Sequence, residues 1–190
     1  TSKNSGFPGA YKLLSTATPS GVATVDITSN IDSTYDVYCF TFINIHGAVD
    51  TGFWRWQARL VGNTGDTFNT TCTSTYFRAY VNESGADGTL QYFGSADAAQ
   101  STSMINLAGE LGNDNDQNLC GEVYLFAPSS TTYVKHWYCT GQLYEYGDYS
   151  LVVHSAGYFN TTSAIDAIRF DISSGNTDDG IIKLYGISKS

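Results

Sequence analysis

An all-β fold is predicted, a two-sheet antiparallel sandwich of jelly-roll type with about ten short strands, and three observations predict it. Runs rich in Val, Ile, Thr, Tyr, Phe and Trp recur along the chain, separated by clusters of Gly, Asn, Asp and Ser. Within those runs apolar residues alternate, as half-buried strands require. Neither a strand–helix–strand alternation nor a 20–50-residue repeat interrupts the pattern.

The candidate strands, in order, are AYKLLS (10–15), GVATVDIT (21–28), TYDVYCFTFINI (34–45), GFWRWQARLV (52–61) and STYFRAYVN (74–82). They continue with GEVYLFA (121–127), TYVKHWYCTGQLYEY (132–146), YSLVVHSAGYF (149–159), AIDAIRFDIS (164–173) and IIKLYGI (181–187). Alternation places Tyr38, Phe40 and Phe42 inward, with Val37, Cys39 and Thr41 outward. It sets Trp54, Trp56, Ala58 and Leu60 against Phe53, Arg55, Gln57 and Arg59. Near the end, Ile168, Phe170 and Ile172 point inward, and Ile182 and Leu184 on the last strand meet them. Segment 95–111, SADAAQSTSMINLAGEL, is the one stretch with helical character, and reads equally as a loop with one short helix or strand.

The 190 residues suit one domain, with residues 1–20 as an arm or first strand and 21–190 as the sandwich. Charged residues are only 14% and the formal net charge is -9. Nine scattered basic residues build no phosphate-binding face, so nucleic acid is not an expected partner. No run approaches the roughly 20 apolar residues of a membrane span, so no membrane partner is expected either. The stretch TSKNSGFPGAYK is polar and shows no signal-peptide pattern. Cys39, Cys72, Cys120 and Cys139 lack zinc-site spacing, and are either two disulfides or small core residues. The strand setting of Cys39 and Cys139 points to free buried thiols.

The closing segment, Ile165 to Ile187, carries a hydrophobic pair, then IRF, SGN and G-x-x-K-LYGI. Together with YDVYCFTFINI, STYFRAY and GEVYLFAP upstream, it resembles the β-sandwich structural proteins of tailed-bacteriophage virions, of the tail-fibre, head-fibre or decoration type. The likeness spans residues 33–188 in patches, and FWRWQARL departs from the charged R-L-R strand of that family. It implies a non-enzymatic virion-surface protein in a homo-oligomer, a trimer above all, next to other virion proteins and in reach of a host surface glycan. It implies no cofactor. The three N-x-S/T triplets at Asn69, Asn82 and Asn160 carry no meaning in such a setting.

Signals for chemistry are weak. His46, His136 and His154 come without a nucleophile-elbow motif, although His136 and His154 fall where they share a sheet face. Glu122 and Glu145 are strand carboxylates that could flank a groove. Asp114, Asp116 and Asn118 alternate as Ca²⁺ ligands do, yet Leu119 and Leu125 stand where an EF-hand needs Gly and Glu, so a solvated loop is the expected reading. Aromatic residues crowd 133–149, more than one strand face can bury. Trp137, Tyr144 and Tyr146 are the expected exposed ones, as glycan or subunit-interface contacts. The alternative to a virion structural protein is therefore a carbohydrate-binding module with an aromatic strand as its platform.

Overall fold

The computed structural model describes residues 11–187; most of the expected arm, residues 1–10, lies outside them. Thirteen strands are present: β1 (Tyr11–Ala17), β2 (Thr24–Ile27), β3 (Val37–Gly47), β4 (Gly52–Leu60), β5 (Cys72–Asn82), β6 (Gly88–Tyr92), β7 (Ala98–Ser101), β8 (Ile105–Leu111), β9 (Leu119–Phe126), β10 (Lys135–Glu145), β11 (Tyr149–Phe159), β12 (Ile165–Ile172) and β13 (Thr177–Ile187). The ten expected strands are all there. The three additional ones, β6, β7 and β8, correct the count, and two of them lie in the segment read as helix-like. That segment supplies only a single 3-10 turn, Gly94–Ala96. Its Ala, Gln and Ser residues carry little strand propensity, and pairing with β5 and β4 overrides it.

All strands pair antiparallel in one connected sheet, in the order β1-β13-β3-β9-β10-β8-β4-β12-β2, with β11, β5, β6 and β7 branching from β10. The step from β10 to β8 is a single residue pair, Glu145 with Leu111. A bridge between Val22 and Thr177 brings the β2 end back to β13, so the sheet is barrel-like and nearly closed. β12 and β13 do not form a hairpin with each other. The turn between them, with Gly175 at φ 73°, sends β12 to β4 and β2 but β13 to β3 and β1.

The interior is aromatic. Trp54 stacks on Phe170 at 5.3 Å, and Phe40 and Phe42 meet Phe170 edge-on at 5.5 and 5.4 Å. Trp56 reaches the other wing of the sheet, at 5.2 Å from Trp137 and 5.3 Å from Phe159. The inward residues expected on β3, β4, β12 and β13 are buried, apart from a partly exposed Leu60. Two residues expected outward, Cys39 and Gln57, are also buried. Gln57 is covered by the chain after β7, and its amide donates to the carbonyls of Thr102 and Ser103. Tyr38 reaches out of the core to accept the Asp32 N–H and donate to the Asp32 carbonyl, each at 3.0 Å, which pins the loop before β3.

β13 lies between β1 and β3. Gly186 on it is needed because the Tyr35 ring lies where a Cβ would go. Phe170 touches four aromatic rings from both β3 and β4. Phe170→Ala is expected to cost about 3–5 kcal/mol in urea unfolding. A loss below about 1 kcal/mol would show that the cluster is not the centre of the fold.

Candidate functional site

The two outsides of the molecule differ in chemistry. Across β2, β12 and β4 the outward residues are ion pairs. Arg169 holds Asp26 through two bonds of 2.7 and 2.6 Å, and reaches Asp66 at 2.6 Å. Arg55 grips Asp171 at 2.8 and 2.7 Å, and Arg59 meets Asp166 at 3.0 Å. Each of these arginines already has a carboxylate partner on a neighbouring strand or loop.

The outside of β9, β10, β11 and β5 is nearly uncharged. Register puts Tyr124, Tyr138, Ala156 and Thr75 in one row, and Glu122, Thr140, His154 and Phe77 in the next. Glu122 is the one carboxylate on the outward positions of those four strands. Tyr124 and Tyr138 are stacked at 5.0 Å, with Phe126 beside Tyr138 at 5.8 Å. Tyr11 extends the stripe by sharing a 2.7 Å hydrogen bond with the Tyr124 hydroxyl and standing edge-on to Tyr185. His136 neighbours Tyr158, and His154 stacks on Phe77 at 5.2 Å.

Small residues open hollows in this face. A depression of about 510 Å³ has Ala156, Thr73 and Thr75 on its floor, with Phe126, His136, Tyr138 and Tyr158 around it. A neighbouring hollow of about 410 Å³ is floored by Gly121 and Gly141 and edged by Glu122, Thr140 and Gln142. Flat rings around a floor without long side chains, with hydroxyl and imidazole groups at the rim, form a surface for other flat, amphipathic groups.

Of the expected contact residues, Trp137 is not exposed, although it lines the hollow of about 510 Å³. It is 2% exposed, and its indole fills the core beside Trp56. Strand β10 turns Lys135, Trp137, Cys139, Leu143 and Glu145 inward, so the neighbouring parity, His136, Tyr138 and Tyr144, faces out. Both parities carry aromatics, which left the pleat unreadable. Lys135 lies on the inward parity despite its charge: it is fully buried, donating to the Tyr133 and Thr161 carbonyls at 3.0 Å, and burial pushes its pKa down. Tyr144 is half-buried and donates to Asp148 at 2.9 Å. Tyr146 is exposed but sits in the turn after β10, so these three residues do not form one surface. Tyr124, Tyr138, Phe126 and Tyr158 form the surface instead.

Glu122 and Glu145 lie on opposite faces and flank no common groove. Glu145 lines a cavity of about 180 Å³ with Arg78, Tyr80, Glu110, Tyr146 and Tyr149. There Arg78 pairs with Glu110 and lies over the Phe93 ring at 4.0 Å. The loop of Asp114, Asp116 and Asn118 is tied by its backbone: the Asp114 carbonyl meets His46 Nε2 at 3.1 Å, and the Asn118 amide donates to the Asp116 carbonyl. Among the described residues no three His, Cys, Asp or Glu side chains converge as a metal ion needs. The four cysteines are free, with Cys39, Cys72 and Cys139 buried and their thiols pushed up to about 12 by desolvation. No family model, curated protein or solved structure matches the chain.

The buried corner at Glu145 has a pH signature. Burial raises the Glu145 pKa first, and the Glu110 carboxylate adds to it, against the Gly147 N–H bond and Arg78. The folded state therefore holds this proton more tightly than the unfolded chain. Its contribution favours folding at low pH and declines as pH rises from the ordinary Glu value through the raised one. Glu145→Gln, which keeps an acceptor for Gly147, is expected to raise Tm by a few degrees at pH 7 and by much less at pH 4. Equal shifts at both pH values would contradict the assignment.

Proposed function

We propose that the protein is a non-enzymatic structural component of a bacteriophage virion, of the capsid-decoration, head-fibre or tail-fibre type, acting by packing against sister subunits at the virion surface. The observation that carries this reading is the stripe of stacked aromatics on the outside of β9, β10 and β11, nearly free of charge, opposite a face whose arginines are all paired. A broad apolar surface of that kind is a contact surface. The closing segment fits the same reading, because its last strand is a structural member held on both edges and not a site. We further read the sheet as a jelly-roll-type sandwich. The single-residue step between β10 and β8 divides the strands into two layers, and Trp54, Trp56 and Phe170 of one layer meet Phe40, Phe42, Trp137 and Phe159 of the other. A homotrimer is the expected assembly.

The hollow around Ala156 favours a second reading, glycan binding, since a sugar ring offers one apolar face and a rim of hydroxyls to Tyr138, Tyr158 and His136. The two readings part in one experiment on the purified chain. Its mass by light scattering and its retention on a polysaccharide gel are measured with and without Tyr138→Ala. A stable trimer without retention supports the virion structural protein. Retention by a monomer, weakened roughly ten-fold by Tyr138→Ala, supports the binding module. Hydrolysis of a glycan, lost in Glu122→Gln, would contradict both.

A further inference from the structure

Among the described residues, two of the most exposed large apolar side chains lie at a sheet edge. Strand β6 pairs, among the described residues, with β5 alone. On its outward face Leu90 is 74% exposed and Tyr92 66%, next to Phe77 at 44% and Val81 at 45% on β5. The alternation of ladder bonds is known at both ends of the pair: Asn82 N–H donates to the Asp87 carbonyl, and Phe93 N–H donates to the Tyr76 carbonyl. Odd-numbered residues of β6 therefore bond to β5, and Gly88, Leu90 and Tyr92 turn their N–H and C=O groups to the open edge. The Leu90 carbonyl meets only the hydroxyl of adjacent Thr89, at 3.5 Å.

Such edges invite pairing, and proteins guard them with charge, Pro, bulges or brevity. β1 carries Lys12 and a bulge between Leu13 and Ser15, and β2 is four residues long with Asp26. β6, Gly88-Thr89-Leu90-Gln91-Tyr92, is short at five residues but carries no charge, Pro or bulge. We propose that the β6 edge pairs with β6 of a second copy of this chain, antiparallel, about a two-fold axis at Leu90.

The strand is complementary to itself in that register. Leu90 faces its counterpart, Thr89 faces Gln91, and Tyr92, whose hydroxyl donates to Asp97 of its own chain, falls opposite Gly88 of the second copy, where there is no side chain to oppose it. The two Gly88–Tyr92 pairs and the Leu90–Leu90 pair are the hydrogen-bonded kind, each sharing two backbone bonds, and the Thr89–Gln91 pairs between them are the non-hydrogen-bonded kind. The charges agree as well. Each chain carries a formal net charge of -9, which opposes association in general. Along β6 no charged side chain faces another; Asp87 falls opposite the Phe93 of the second copy. The contact joins the Phe77–Val81–Leu90–Tyr92 patches of two chains into one surface. Its area belongs with the small interfaces, under about 1,200 Å² in total, so the pairing is reversible and rises with concentration. This contact is independent of the trimer and of glycan binding.

Sedimentation equilibrium of the full chain over a range of concentrations tests it, with Leu90→Lys and Leu90→Pro alongside. Leu90→Lys leaves the backbone intact and sets two ammonium groups against each other at the axis. Leu90→Pro removes one edge N–H that β5 does not use. The expected result is a mass that doubles with concentration in the unaltered chain, and a dissociation constant at least ten-fold weaker in Leu90→Lys at unchanged Tm. Leu90→Pro behaves the same way where it folds; where it does not, Leu90→Lys decides. A mass that never doubles, or doubling that survives Leu90→Lys, overturns the proposal. A trimer that does not double overturns this contact alone and leaves the trimer standing.

Discussion

Everything in this molecule hangs on one contact, the stacking of Trp54 on Phe170 with Phe40 and Phe42 closing around them. It joins strands far apart in sequence and draws the two wings of the sheet together. Its strength comes from area. A buried Trp or Phe removes roughly 150–250 Å² from water, worth about 4–6 kcal/mol at 25 cal/mol per Å². The indole N–H groups of Trp54 and Trp56 find no protein partner, at a cost of about 1–3 kcal/mol each. Burial exceeds that cost, so the interior tolerates the two orphaned donors.

The same economy of polar groups shapes the outside. Across β2, β4 and β12, Arg55, Arg59 and Arg169 are each matched by an aspartate on a neighbouring strand or loop. Where the sheet carries tyrosines, their rings stack on each other and leave apolar flanks uncovered. A surface whose arginines are already paired gains little from a new charged partner. An uncharged aromatic one gains by being covered, and both proposed roles follow from that difference.

Much of the fold was legible from alternation alone. The inward sets on β4 and β12 stand out because most of their outward partners are polar or charged, Arg55, Gln57 and Arg59 on one strand and Arg169 and Asp171 on the other. Legibility failed for physical reasons where that contrast vanishes. On β10 both parities carry aromatics, and a lysine sits on the buried one, so the pattern did not show that Trp137 points inward and Tyr138 outward. Gln57 defied its parity because a loop folds over it and accepts its amide. β6 to β8 were hidden by residues of low strand propensity that take their conformation from their neighbours. The candidate face was visible as a crowd of aromatics, but its members are set by register with β9 and β11, and pairing between distant strands leaves no local mark.

Amide hydrogen exchange resolved by residue tests the central role of the aromatic interlock most directly. The account predicts that the amides of Phe40, Phe42, Trp54, Trp56 and Phe170 exchange only through global unfolding, with one shared free energy equal to that from denaturant. The β6 and β7 amides, at the branch farthest from that cluster in the strand order, open well before it. Exchange of the Trp54 and Phe170 amides by a separate, easier opening, while the β5 branch stays protected, would contradict it.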